Sequence, residues 1–398
     1  MKKTILGIVH SSESLDAISS YYSEFFLEIS RSFDKFYIIN LSGLISFREK
    51  KKININQKKF PKNFVFKKFS NSKKLKEFLL DKNLIAINNL GKNPSFFWAL
   101  HLLRINNVKL INILNVGEFG LSTTLSVFKK NTYIWSNFYD KGFYYIFRIL
   151  TILNILPKIE ITFHSNIDAI NRLNNGLSKK FDSLIPFFNI SYYKKIIKVN
   201  SRSFVVKKNK ETKRDYILFV DCPIMSGDRL IRDKKILKKE VLIFYERLNY
   251  LLNKLSKLFK KKIIISPHPK YKNKYLNNKN YIMANKSTRE MIPNCSYVVF
   301  TASGAIVDAV YQKKKIINFH SKLQGEYQLN MNNKYVKQLK LFSINLDKEV
   351  SLNKKKITKM TNLSLKSYNS FIKRRLLVDG DNNPNKKIIK VIKNNFFK

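Results

Sequence analysis

Two stretches, Lys262–Lys270 (KIIISPHPK) and Ser296–Phe319 (SYVVFTASGAIVDAVYQKKKIINF), decide how this chain is read. In each, a short apolar run ends abruptly in a turn: Pro267-His268-Pro269-Lys270 after KIIIS, and Thr301-Ala302-Ser303-Gly304 after SYVVF. Continuous rather than alternating hydrophobicity predicts strands covered on both faces, the condition of a parallel α/β sheet. After the second turn, Ala305–Gln312 reads as a helix and Lys315–Phe319 (KIINF) as the next strand, which completes a βαβ unit.

Working outward, Tyr216–Asp221 (YILFVD) is another near-continuous apolar strand, followed by a long amphipathic helix over Lys234–Lys260. Tyr281–Ala284 is a short strand after a basic loop, and Ser287 with Glu290 three residues on is a capping-box pattern for a short helix. The amino-terminal part alternates in the same way. Thr4–Val9, Lys35–Asn40, Leu84–Asn88 and Val108–Leu114 read as strands. Ser14–Arg31 carries Leu15, Ile18, Tyr22, Phe25, Phe26 and Ile29 at helical spacing, and Pro94–Arg104 starts a helix with proline near its first turn. Residues 121–205 show little regular pattern beyond Ile159–Phe163 (IEITF), and the charged stretch Ser201–Arg214 reads as a solvated linker. Two Rossmann-like α/β domains are expected, over 1–205 and 206–378, with a terminal helix in 379–398.

Composition narrows the classes. The 398 residues carry 76 Lys plus Arg against 27 Asp plus Glu, a formal charge of +49, with 44% apolar content that supports real cores. Only 13 of the bases are Arg, and a chain rich in Lys, Asn, Ile and Phe matches A/T-rich codons, so part of the charge belongs to genome composition. Two cysteines, Cys222 and Cys295, exclude a disulfide scaffold and a zinc ribbon. The opening MKKTILGIVHSS has an apolar run, Ile5–Val9, shorter than the roughly 7–15 residues of a secretory leader. Gly142–Leu156 is likewise shorter than the roughly 20 residues of a spanning helix.

In an open parallel sheet the ligand sits outside the carboxyl ends of the strands, so the PHPK and TASG turns are the candidate site. Hydroxyls, backbone N–H groups and a helix start at Thr301, Ser303 and Gly304 suit a phosphate, and His268, Pro269 and Lys270 supply a stiffened loop with positive charge. Asp221, Ser226, Gly227 and Asp228 follow the first strand of the second domain and are further candidates to face a cleft. No GxGxxG, Walker loop, HExxH or CxxC is present. The one DxD spacing, Asp379 with Asp381, lies near the C-terminus. The sequence therefore calls for no cofactor and no metal.

The order strand, HP, capped short helix, strand, Ser/Thr turn, helix, strand over about residues 216–320 resembles the GT-B glycosyltransferases of bacterial capsule and lipopolysaccharide synthesis. Closest in motif are the sialyltransferase and Kdo-transferase types. The resemblance implies a GT-B-like fold, two Rossmann-like domains facing each other across a cleft. It also implies that His268 and Ser303 contact the donor phosphate with help from Thr301 and Gly304, and that Asp308 faces the donor. Ala302 separates the two hydroxyl residues that are often adjacent in those families, which leaves the donor nucleotide open. Ser303-Gly304-Ala305 also departs from the Ser-Gly-Gly usual in UDP-sugar 2-epimerases of the same architecture. Asp379-Gly380-Asp381 echoes a Gly/Asp-rich turn of related enzymes.

A transferase also needs a base for the acceptor hydroxyl. Glu118, between Gly117 and Gly120, is the first candidate and partly matches the acidic motif of the sialyltransferase types; His10, at the end of the first strand, is the second. The expectation is a metal-independent glycosyltransferase with a nucleotide-sugar donor, CMP-linked first among donors, and a glycan or lipid-linked acceptor. A polyol-phosphate transferase and a UDP-sugar 2-epimerase are the enzymatic alternatives. A nucleic-acid-binding protein is the alternative that the charge raises, but bases scattered over both halves argue against nucleic acid. The aromatic, basic stretch Lys129–Lys158 points instead to peripheral contact with an anionic membrane at its cytoplasmic face.

Overall fold

A strand that is apolar on both sides needs cover on both sides, and β1 (Lys3–His10) has it. Ile5 and Val9 join one buried cluster, while Leu6 and Ile8 join another on the opposite face. The computed structural model describes residues 2–10, 16–45, 60–90, 96–114, 146–147, 149–165, 193–201, 216–224, 236–268, 274–276, 281–376 and 383–397. They divide between two compact units.

The first unit contains β1, α1 (Asp16–Ser32), β2 (Phe36–Asn40), α2 (Ser42–Ile45), β3 (Phe64–Lys68), α3 (Ser72–Leu79), β4 (Lys82–Asn89), α4 (Phe97–Ile105), β5 (Lys109–Leu114), β6 (Ile159–His164) and β7 (Tyr193–Lys198). Its strands form one parallel sheet in the order β3-β2-β1-β4-β5-β6-β7. The chain starts in the middle, runs outward through β2 and β3, then returns to β4 on the other side of β1. That reversal creates a switch point at the carboxyl end of β1. Gly7 lets β2 lie close, because a Cβ there would stand 2.7 Å from the Tyr37 carbonyl oxygen. The helical face of α1 predicted from its spacing is buried through Ile18, Tyr22, Phe25, Phe26 and Ile29.

The second unit contains β8 (Tyr216–Val220), α5 (Lys238–Phe259), β9 (Lys262–Ser266), β10 (Tyr281–Met283), α6 (Thr288–Met291), β11 (Tyr297–Phe300), α7 (Ile306–Tyr311), β12 (Lys315–His320), α8 (Glu326–Leu339), β13 (Phe342–Asn345) and α9 (Lys354–Arg375). This sheet is also parallel, in the order β10-β9-β8-β11-β12-β13. Here the reversal falls at β8, with β9 on one side and β11 on the other. One face is covered by α5 through Phe244, Leu248, Leu251, Leu252 and Leu255. The other is covered by α7, α8 and α9 through Val307, Val310, Tyr335, Leu339, Tyr368 and Phe371.

The final helix, α10 (Pro384–Phe396), belongs to the first unit. Ile388, Ile389 and Ile392 are buried among the α1 side chains, and the rings of Phe33 and Phe397 lie 5.1 Å apart. The units comprise Met1–Asn115, Thr124–Arg202 and Val378–Lys398 on one hand, and Val116–Thr123 with Ser203–Leu377 on the other.

Candidate active site

Three strand ends meet in the middle of the second sheet. Val220 is in register with Ser266 of β9 and with Phe300 of β11, so Asp221, Pro267 and Thr301 emerge side by side at one edge. This is the switch point of the sheet, where an open α/β fold leaves a crevice. The buried Asp221 donates its N–H to the Ser266 carbonyl at 3.0 Å. Ser266 is fixed in turn: its hydroxyl lies 2.6 Å from that of Thr288 in α6. Beyond it Pro267 is exposed and His268 half-buried, with the histidine engaged by its surroundings.

The Thr301–Gly304 turn is held from behind. The Thr301 carbonyl accepts from Gln324 Nε2 at 2.8 Å and from Asn332 Nδ2, two buried amides. Gln324 is itself oriented, since its Oε1 accepts from the Ser321 N–H at 2.9 Å. Ser321 and Lys322 are pinned by Asp347: the Ser321 hydroxyl donates to Oδ1 at 2.5 Å and the Lys322 N–H to Oδ2 at 2.8 Å. Asp347 thus reaches the turn through a relay of hydrogen bonds. Thr301 is buried, and its hydroxyl has no hydrogen-bond partner among the described residues. Ser303 is partly exposed and Gly304 exposed.

Two details differ from the sequence expectation. The helix after the turn has only six residues, and Ser303 Oγ accepts the Ala305 N–H at 3.2 Å, so the chain itself takes one donor expected to face an anion. Asp308, one turn into α7, lies 3.5 Å from Arg289 Nη2 in α6, and both side chains are less than a fifth exposed. Its carboxylate braces two helices together.

His320, which the sequence reading passed over, ends β12 at the same edge. Its Nδ1 lies 2.9 Å from Ser343 Oγ, whose hydroxyl donates to Asn318 Oδ1 at 2.9 Å. Burial lowers its pKa and the charge of Asp347 opposes that shift. The signal was available, because KIINFH places the histidine at the end of a predicted strand.

The corresponding edge of the first sheet carries His10 at the end of β1 and His164 at the end of β6. His10 is fully buried, and neither ring nitrogen has a hydrogen-bond partner among the described residues. Burial lowers the pKa of each histidine to about 4, so both imidazoles are neutral at pH 7. Glu118, Ser226, Gly227, Asp228, Pro269, Lys270 and Asp379–Asp381 lie outside the described residues.

No family model matches this chain and no curated protein matches it. Solved structures do match along nearly its whole length. The wall teichoic acid polymerase TagF aligns over 99% of this chain and 89% of its own at 12% identity, with a TM-score of 0.56. UGT89C1 from Arabidopsis thaliana, complexed with quercetin, aligns over 98% of both chains at 10% identity and 0.51. A putative UDP-N-acetylglucosamine 2-epimerase from Listeria monocytogenes covers 100% of this chain and 97% of its own at 9% identity and 0.51. At these identities the likeness concerns architecture: the chain has the GT-B glycosyltransferase fold, built from two parallel α/β units.

Proposed function

We propose that this protein is a glycosyltransferase that moves a sugar from a nucleotide-activated donor to a glycan or lipid-linked acceptor. The observation that carries the reading is the edge at β8, β9 and β11, where His268, the Thr301 and Ser303 hydroxyls and the open turn at Gly304 surround the switch point of the second sheet. The donor phosphate belongs there, with Asp221 and Asp308 supporting the scaffold around it. In the transfer, the acceptor oxygen bonds to the anomeric carbon as that carbon's bond to the phosphate oxygen breaks. The base removes the acceptor proton, and His268 with the turn stabilises charge gathering on the departing nucleotide. Glu118 and His10 are the two candidates for the base; burial lowers the His10 pKa to about 4, which weakens it as a proton acceptor and puts Glu118 first.

A CMP-linked sugar of the sialic acid or Kdo type stands first among donors, on the motif resemblance alone. A second reading, polyol-phosphate transfer, is favoured by one observation: a TagF variant soaked with CDPG aligns with a TM-score of 0.58 over 100% of this chain. The bond broken would then be between phosphorus and the bridging oxygen. The epimerase-type neighbour keeps UDP-sugar epimerisation as a third. The work is placed at the cytoplasmic face of a membrane, with anionic lipid as a partner. Among the described residues no helix is long and apolar enough to cross one.

The test is a panel of CMP, UDP, GDP and CDP measured by thermal shift, followed by turnover of the matching sugar or polyol donor. One nucleotide should raise Tm, because a ligand that binds only the folded state stabilises it. His268→Ala should cancel that rise and lower turnover by about 100-fold, the loss of one phosphate-stabilising group. Four silent nucleotides, or full turnover by His268→Ala, would falsify the assignment.

A further inference from the structure

The helix α4 is apolar almost all round, yet only one side of it is covered. Ala99, Leu100, Leu102 and Leu103 are buried, while Trp98 and Ile105 on the opposite side are each 54% exposed. A helix with this pattern is ordinarily enclosed by protein or lipid. Beside it, the segment 146–156 leaves Ile146, Ile149, Leu153 and Ile155 between 39% and 62% exposed. The two segments form one surface: His101 Nδ1 lies 2.9 Å from the Ile155 carbonyl oxygen, and Arg104 Nε donates to Asn154 Oδ1 at 2.9 Å. Six of the fifteen exposed large apolar side chains among the described residues are gathered there, which single scattered exposures do not explain.

We infer that this face of the first unit is a docking surface for a bilayer with anionic headgroups. Charge chooses lipid over a second copy of the chain. Neither Phe96–Leu114 nor 146–158 contains an Asp or Glu, Arg104 and Lys158 lie within them, and the whole chain carries +49, so a copy repels while an anionic surface attracts. Tryptophan settles at headgroup level, and His101 stacks on Trp98 with ring centres 5.8 Å apart. Apolar contact and basic charge together supply the two signals that stable peripheral binding needs. The inference gives a location to the membrane contact proposed above and rests on that part of the reading alone.

The full chain is tested by flotation with vesicles of equimolar phosphatidylglycerol and phosphatidylcholine, against pure phosphatidylcholine. Trp98→Ser with Leu153→Ser should keep Tm, since both side chains already face water, and lower partition onto anionic vesicles by about 10-fold or more. Lys238→Ser with Lys239→Ser, on the second unit, should change partition far less. In a Trp135→Phe background, Trp98 emission should shift to the blue on anionic vesicles, a readout that needs no destabilising change at the patch. Equal partition of the wild type and the Trp98/Leu153 variant, with unmoved Trp98 emission, overturns the patch while leaving membrane binding in place. No partition of the wild type removes the membrane reading as well. Self-association that the same variant abolishes, without vesicle binding, assigns the surface to a second copy and overturns the inference. Donor turnover is measured in parallel and is independent of these outcomes.

Discussion

His10 and His164 are buried at the carboxyl ends of their strands with pKa values near 4, below the ordinary 6.5. The unfolded chain takes up protons at these positions as pH falls through 6.5, whereas the folded chain does so only near 4. Their contribution to stability is therefore full above pH 6.5 and is lost as pH falls toward 4, at about 1.4 kcal/mol per pH unit for each residue. Thermal melts between pH 6.5 and 5, a window in which most carboxylates are silent, should show this slope. His10→Gln should flatten it by about half. An unchanged slope in both His10→Gln and His164→Gln would locate the proton uptake elsewhere. At this scale the sequence singles out residues for which type and position coincide, such as His268 in PHP and Ser303 in TASG, as candidates. That Asp308 is paired to Arg289 could not be read from the sequence, because the partner arrives from a separate helix.

Elements decide whether the turn keeps its shape. Gln324 and Asn332 both hold the Thr301 carbonyl, and Gln324 also satisfies the Ser321 N–H. Gln324→Leu leaves buried polar groups short of partners and should cost about 1–3 kcal/mol. It should also weaken the nucleotide-induced rise in Tm, while Gln324→Glu, which retains the acceptor for Ser321, should keep more of the stability than of the binding. Gly7→Ala tests the first sheet. A Cβ 2.7 Å from the Tyr37 carbonyl forces β1 and β2 apart, and chemical denaturation should record a loss of roughly 1–3 kcal/mol. The central strands were legible as continuous apolar runs. Edge strands β3 (FVFKK), β7 (YKKIIK) and β13 (FSIN) were not, since an edge tolerates lysine and serine and shows no such run. The polar helices α8 and α9 were hidden for the same reason: only a narrow face of each is buried.

Across the whole molecule, the last helix serves the first unit. Deleting residues 378–398 removes Ile388, Ile389 and Ile392 from the α1 face, each worth about 1.5–3 kcal/mol of burial. The expected result is a low-temperature transition assigned to the first unit by protection of its amides, with the second unit's transition unmoved. A single shift common to both units would show that they unfold together. The net charge of +49 is a second property of the whole chain. Raising salt should screen self-repulsion and raise Tm, while weakening attachment to anionic vesicles.

Apolar periodicity by itself determined the class of this protein, two parallel α/β sheets, because burial on both faces writes an unbroken hydrophobic run into each central strand. It also determined where to look, at the turns after β9 and β11. Only the tertiary structure decided which groups at those turns stay open and which are engaged by residues from elsewhere in the chain. Asp308 meets Arg289, the Thr301 carbonyl meets two amides, and His10 is enclosed with no partner among the described residues. Hydrogen bonds and desolvation depend on neighbours brought together by folding, and such neighbours leave no periodic mark in the sequence.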